Sequence, residues 1–256
     1  MLKILMSGCC GRMGRAINNM VSEIDDATIV AGVDVSDNKE GLDFPVFKNI
    51  NDFDGDFDCI IDFSNVSVVC DVLNYAVAKK KPAVICTTGL GDKELSALNE
   101  ASKVVPVFKS ANMSLGMNVL IAVCKKVSDF LYPGYDIEIV EAHHNKKLDA
   151  PSGTALMIAD AIKDEIKRNT DTDMNYVYER QSVRQKRDEC EIGISSIRGG
   201  NIVGEHDVMF IGDEEILTIS HSAQTREVFA KGAVVAARFV ADKPCGLYSM
   251  SDLVVI

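Results

Sequence analysis

His143, His144, Lys146 and Lys147 stand within five consecutive positions, a run that holds two of the four histidines of the chain. Imidazole exchanges protons near neutral pH and a lysine ammonium is a flexible cationic donor, so such a run can both move protons and attract negative charge. Just beyond it come Ala150-Pro151-Ser152-Gly153-Thr154. Pro151 precedes a helical pattern, Gly153 lets the backbone turn, and Ser152 or Thr154 can cap, which leaves the first amides of the helix free to hold an anion. The opposing reading is a polar strand end with ordinary loop histidines, of which only one ring enters any given pocket because neighbouring strand positions face opposite ways. No metal site is expected, since two adjacent histidines without a third ligand at suitable spacing make a poor zinc centre. Nothing in the sequence pairs a Cys or Ser with a base for nucleophilic catalysis.

The elements around this loop follow from periodicity. Asp136-Ile137-Glu138-Ile139-Val140 alternates like a strand, and Thr154 to Lys167 carries apolar residues at helical spacing, so the loop joins a strand to a helix. At the other end of the chain, Lys3-Ile4-Leu5-Met6 reads as a buried strand, followed by Ser7-Gly8-Cys9-Cys10-Gly11-Arg12-Met13-Gly14 and a helical pattern through Ile17, Met20 and Val21. Strand, glycine turn and helix is the context of a dinucleotide fingerprint, although Cys10 stands where a middle glycine is expected and an ordinary βα turn would look similar. Gly8 would permit the tight turn, Gly11 the approach to pyrophosphate, and Gly14 the packing of helix on strand. The next strand, Ala27 to Val33, delivers Asp34 to the position of an acid that accepts from an adenosine ribose; a strand-end turn aspartate is the alternative. Val35 and Ser36 follow, without an arginine for a 2′-phosphate, so NADH is at least as acceptable as NADPH.

Strands at Cys59–Asp62, Ala83–Cys86 and Val105–Phe108 alternate with helices at Val66–Lys80 and Lys93–Ser102, which predicts a doubly wound parallel sheet of the Rossmann type. Asp62-Phe63-Ser64, Thr87-Thr88-Gly89 and Ser110-Ala111-Asn112-Met113 then fall at the C-terminal strand ends where such sheets bind ligands. After a helix from Leu115 to Tyr132 the pattern changes. Runs at Asn175–Arg180, Glu191–Ile197, Asp207–Ile211 and Glu215–Ser220 follow one another without helices, which predicts a mixed or antiparallel sheet in a second, α+β domain. Between two of them, Arg198 to His206 is glycine-rich and reads equally as a mobile flap or a long hairpin. A last helix is expected from Thr225 to Val240. Length alone permits one large domain or two.

The net charge of −11 argues against nucleic acid or an anionic membrane surface as partner. No apolar run reaches the roughly 18 residues of a membrane span, and the N-terminal run does not read as a leader, so a cytoplasmic location is expected. The eight cysteines are scattered without a CxxC pair and read as buried free thiols.

Taken together, the motifs resemble the dihydrodipicolinate reductases, also called 4-hydroxy-tetrahydrodipicolinate reductases, over essentially the whole chain. The resemblance rests on Gly8-x-x-Gly11-Arg12-Met13-Gly14, Thr87-Thr88-Gly89, Ala111-Asn112-Met113-Ser114, Glu141-Ala142-His143-His144 with Lys147-x-Asp149-Ala150-Pro151-Ser152-Gly153-Thr154-Ala155, Arg198-Gly199-Gly200 with Ile202 to His206, and Gly246-Leu247-Tyr248-x-Met250. It implies an oxidoreductase that passes hydride from NADH or NADPH to a cyclic dicarboxylate in lysine and diaminopimelate synthesis. It assigns proton handling to His143 and Lys147 and substrate carboxylate to His144, Gly153 and Thr154. The cofactor residues it implies are Gly8, Cys9, Cys10, Gly11, Arg12, Met13, Asp34, Cys86, Thr87, Thr88, Ser110, Ala111, Asn112 and Met113. It also implies a dinucleotide-binding domain from residues 1–113 and 226–256, a substrate-binding and oligomerisation domain from 114–225, and a homotetramer. Cys86 stands where the family usually has glycine and Met113 where phenylalanine is frequent. The residues alone leave two other readings open, a dinucleotide-binding redox regulator and another Rossmann-type dehydrogenase of an amino-acid pathway.

Overall fold

Apolar residues on both faces require a strand to be covered from both sides, and that is the situation of Leu2–Ser7 (β1). In the computed structural model, which describes residues 1–254, β1 pairs in parallel with Ala27–Val33 (β2) on one edge and Cys59–Asp62 (β4) on the other. Val46–Phe47 (β3), Ala83–Ile85 (β5), Pro106–Lys109 (β6) and Gly246–Tyr248 (β12) complete a sheet of order β12-β6-β5-β4-β1-β2-β3, in which every pairing is parallel. The chain divides into two units. This sheet belongs to the first, formed by Met1–Leu115 and the segment from Arg226 onward.

Alternate β1 side chains enter opposite layers. Ile4 and Met6 join a cluster with Ile17 and Val21 of Arg12–Ser22 (α1) and with Ala230, Ala233, Val234, Ala237 and Val240 of Glu227–Ala241 (α6). Leu5 joins Val72, Leu73 and Ala76 of Val66–Lys79 (α2) and Leu98 and Ala101 of Asp92–Ser102 (α3). The alanine face lets α6 lie close to the chain: a Cβ at Gly232 would overlap the Met113 carbonyl. Each fully buried Ile or Val on α1 contributes about 1.5–3 kcal/mol relative to exposure.

The second unit, Gly116–Thr225, carries a mixed sheet. Its strands are Asp136–His143 (β7), Asn175–Val177 (β8), Glu191–Arg198 (β9), Gly204–Ile211 (β10) and Ile216–Ala223 (β11), in the order β11-β10-β7-β9-β8. Leu115–Leu131 (α4) and Gly153–Thr170 (α5) bury Leu120, Cys124, Ile158 and Ile162 against Ile137, Ile139, Ile192, Ile194, Val208 and Phe210. Of the two readings of the segment between β9 and β10, the long hairpin is not formed. β7 lies between them, antiparallel to β10 and parallel to β9, so residues 199–203 carry the chain across β7. Two backbone bonds hold that crossing to the loop after β7, Gly199 N to His143 O at 2.9 Å and Asn145 N to Gly200 O at 3.2 Å. Among the described residues no helix is long and apolar enough to cross a membrane.

Candidate active site

Sheet topology places the first candidate region. The strand order around β1 is the doubly wound order whose connections diverge between β1 and β4, and ligands settle at the strand C-termini beside such a switch point. A cavity of about 550 Å³ opens there, lined by Gly8 and Gly11 of the glycine turn, Val33, Asp34 and Val35 at the end of β2, Lys48, and Phe63, Ser64 and Asn65 after β4. Gly8 has a φ of +81°, and a Cβ there would run into the Phe63 carbonyl. A Cβ on Gly14 would strike the Gly8 carbonyl and the Cys9 backbone, so this glycine lets α1 approach the turn. Gly11 is the N-cap of α1 and supplies no side-chain cap. A glycine turn leading into an uncapped helix start suits a phosphate group. Asp34 faces the cavity with its geometry fixed: Oδ2 accepts from the Cys10 amide at 2.9 Å and Oδ1 from the Ser36 amide at 2.8 Å. Lys48 donates to the Val35 carbonyl at 2.8 Å and to Asp37 at 2.5 Å.

The other expected cofactor residues divide into two groups. Cys9 is wholly buried in the core and Cys10 half-buried, with Arg12 and Met13 in the first turn of α1. Cys86, Thr87 and Thr88 follow β5, and Ser110, Ala111, Asn112 and Met113 follow β6. None of these two sets lines the cavity beside Gly8. In the second set, Thr87 is tied to a buried carboxylate, Asp62. Asp62 accepts from Thr87 Oγ1 at 2.6 Å and from Ser64 Oγ, while Lys109 Nζ donates to the Thr87 carbonyl at 2.7 Å. Burial pushes the Asp62 carboxyl up and the Lys109 ammonium down. Cys86 is likewise pushed up by burial. Met113 is buried, and the Asn112 side chain accepts from the Ser114 amide at 2.8 Å.

In the second unit the strand β7 ends at His143, and Glu141 lies two positions earlier on the same face. Glu141 is 0 % exposed. Arg198 donates from Nη1 to Oε2 at 2.8 Å and from Nη2 to Oε1 at 2.7 Å, the Ser152 amide donates to Oε1 at 3.1 Å, and His143 Nδ1 lies 2.6 Å from Oε2. Burial alone would raise this carboxyl, but hydrogen bonds from Arg198, Ser196 and His143 prevail and hold its pKa at about 2. An ionised carboxylate only accepts, so the proton of the hydrogen bond sits on His143 Nδ1. Burial pushes the His143 pKa down, against the pull of Glu141. Its ring is therefore neutral near pH 7, with Nε2 as the open acceptor. Gly204 faces His143 across the β7–β10 pair, where a Cβ would approach Nε2 to 3.1 Å, so glycine keeps that nitrogen accessible.

His206 stands edge-on to His143 at 5.3 Å between ring centroids and lies 3.3 Å from Ser152 Oγ. Burial drives its pKa down to about 4. Ser152 also caps α5, accepting from the Ala155 amide at 3.2 Å. Lys147 Nζ is 2.9 Å from Asp149 Oδ1. Hydrogen bonding from Lys147 and from the Gly153 backbone holds the Asp149 carboxyl below its usual range. His144 follows the strand end and is half-buried, and Thr154 lies in the first turn of α5. Glu141, Arg198 and His206 thus belong to the assembly although the loop chemistry pointed to His143, His144, Lys147, Gly153 and Thr154, and Ser152, expected only as a candidate cap, both caps α5 and bonds Glu141. The i, i+2 spacing of Glu141 and His143 was the available signal for the first of them.

Comparisons with known proteins bear on the family of the chain. Residues 2–113 match the family described as dihydrodipicolinate reductase, N-terminus, and residues 116–254 the one described as dihydrodipicolinate reductase, C-terminus. The chain is 48% identical over 250 residues to the 4-hydroxy-tetrahydrodipicolinate reductase of Clostridium tetani, covering 98% of this chain and 96% of that one. It is 48% identical over 254 residues to the protein of the same name from Caldanaerobacter subterraneus subsp. tengcongensis, covering 99% and 98%. The solved structure of dipicolinate-bound dihydrodipicolinate reductase from Paenisporosarcina sp. TG-14 shares the fold with a TM-score of 0.82 at 22% identity, covering 100% of both chains.

Proposed function

The chain belongs to the dihydrodipicolinate reductase family, and from that premise we propose that it reduces 4-hydroxy-tetrahydrodipicolinate to tetrahydrodipicolinate with a reduced nicotinamide dinucleotide, in lysine and diaminopimelate biosynthesis. The observation that carries the substrate reading is the fate of Asp149. Lys147 and the Gly153 amide already hold a carboxylate at the start of α5, and a carboxylate of a cyclic dicarboxylate presents the same group. Gly153, Thr154 and His144 are the substrate-binding residues of this proposal.

The residues of the cavity beside Gly8 fit a dinucleotide: the Gly8 turn and the uncapped start of α1 hold pyrophosphate, and Asp34 accepts from the adenosine ribose. When bound, the nicotinamide supplies a hydride. Reduction of a C=N or conjugated imine leaves negative charge on nitrogen, and in this reading Lys147 is the cationic acid that protonates it. His143, neutral and held through Nδ1 by Glu141, accepts at Nε2 and orients the reacting group. NADH is favoured over NADPH because the Asp34 carboxylate repels a 2′-phosphate and Lys48, the lysine of the cavity wall, is engaged by Asp37 and the Val35 carbonyl. A homotetramer built through the second-unit sheet is supported by the exposed Ile197, Ile216 and Leu217. The proposal places the protein in the cytoplasm.

Lys147→Ala tests the assignment in steady-state assays with NADH and with NADPH, alongside direct dinucleotide titration. Turnover should fall by about 10²–10⁴ with dinucleotide affinity retained. Turnover near that of the wild type would remove Lys147 from the chemistry.

A further inference from the structure

We propose that Cys9, Cys10 and Asp34 form a binding site for a divalent cation of the zinc and cadmium class, set in the glycine turn that opens α1. The two sulfurs are 3.9 Å apart, and these sulfurs and an Asp34 carboxylate oxygen all lie within 4.8 Å of one another. Thiolates sharing one tetrahedral zinc, each about 2.3 Å from the metal, stand roughly 3.8 Å apart. The pair is therefore already near the required separation. A carboxylate oxygen supplies a third protein ligand and leaves a fourth position open.

The fold holds these groups in place. The Cys10 amide donates to Asp34 Oδ2 at 2.9 Å, which ties the turn to the end of β2. Gly32 makes room for the first thiol, since a Cβ there would come within 2.5 Å of Cys9 Sγ. Cys9 is buried and Cys10 half-buried, so a cation enters from the Cys10 side. The scattered cysteines gave no metal-ligand spacing in the sequence because the third ligand stands 24 residues further on. Binding is a proton exchange: two S–H bonds break, two metal–sulfur bonds form, and two protons pass to solvent without any oxidant.

Asp34 also lines the cavity beside Gly8, so a bound cation occupies the carboxylate that the dinucleotide's ribose needs. This competition rests on the proposed function; the site itself does not.

The test is a cadmium titration of the full-length reduced protein, followed by the near-ultraviolet thiolate-to-cadmium absorption, with and without NADH. One equivalent should bind with an absorption corresponding to two thiolates. Cys10→Ser should weaken binding by on the order of 100-fold, at the upper end of what loss of even an outer partner costs a metal site. Cys245→Ser, which removes an exposed thiol outside the turn, should leave the titration unchanged. NADH should raise the apparent cadmium dissociation constant. An absorption that is absent in the wild type, or that survives Cys10→Ser, overturns the site, and cadmium binding indifferent to saturating NADH overturns the competition. Direct titration of NADH and of NADPH without metal separates the two readings: if neither binds, the proposed function falls and the site is judged on the cadmium absorption alone.

Discussion

His206 should make the native protein sensitive to mild acid, and the size of the effect follows from its surroundings. The side chain belongs to a residue that is 3 % exposed, beside His143 and Ser152. In the unfolded chain it takes up a proton near the ordinary value of 6.5, but in the native state burial, aided by the charge of His143, delays this to about 4. Between those values the unfolded state binds more protons, so stability present above pH 6.5 is lost as the pH falls toward 4. A shift of this size corresponds to about 3 kcal/mol when fully developed. His143 and His221 are also pushed down by burial and act with the same sign. The perturbation is His206→Gln, which removes one titration while keeping a polar group for Ser152. Urea unfolding measured between about pH 7.5 and 4.5 should show a pH slope shallower than that of the wild type by roughly 1.4 kcal/mol per unit below pH 6. The slope is the diagnostic quantity, because lost packing against His143 changes the absolute stability at every pH. Parallel slopes for variant and wild type would refute the reasoning.

Glu141→Gln should cost about 3 kcal/mol at neutral pH, the value of a carboxyl held at about 2 instead of its ordinary 4.5; this contribution is present above pH 4.5 and lost as the pH falls through 2, so the gap between variant and wild type in chemical denaturation should narrow below pH 4.5. Gly8→Ala should destabilise the first unit by about 1–3 kcal/mol and weaken dinucleotide binding, because it puts a Cβ at a positive φ and into the Phe63 carbonyl; urea unfolding and fluorescence titration of NADH read the two effects.

The parallel sheet was legible because burial on both faces leaves a strong sequence trace: β1, β4 and β5 are short apolar runs with helical patterns between them. The loop between β7 and α5 was legible for a different reason, since histidine, lysine, proline and glycine each have narrow uses. Arg198 and His206 were visible as members of a glycine-rich segment that the family resemblance includes, without a role. What gives them a role is the insertion of β7 between β9 and β10, and strand order in a mixed sheet depends on long-range packing that no local pattern records. Val46–Phe47 and Gly246–Tyr248 were invisible as strands because two or three residues are too few to establish a period of two. Cys9 and Cys10 read as free thiols in a cofactor turn, and their closeness to Asp34 depends on β2 ending beside that turn, a long-range pairing that local spacing does not record.

The Glu141 network also decides how the two candidate proton-handling residues divide the work. A histidine held against an ionised carboxylate has its proton fixed on that side, and here the carboxylate is clamped by the Arg198 fork and the Ser152 amide. Burial keeps His143 neutral in spite of Glu141, so its free nitrogen accepts and cannot donate until a second proton arrives. Under the proposed function, the group that neutralises charge developing on the substrate is the ammonium of Lys147. Asp149 keeps that ammonium in the loop before substrate binds, and a substrate carboxylate that takes over the position held by Asp149 at the start of α5 would release Lys147 at the moment its proton is needed.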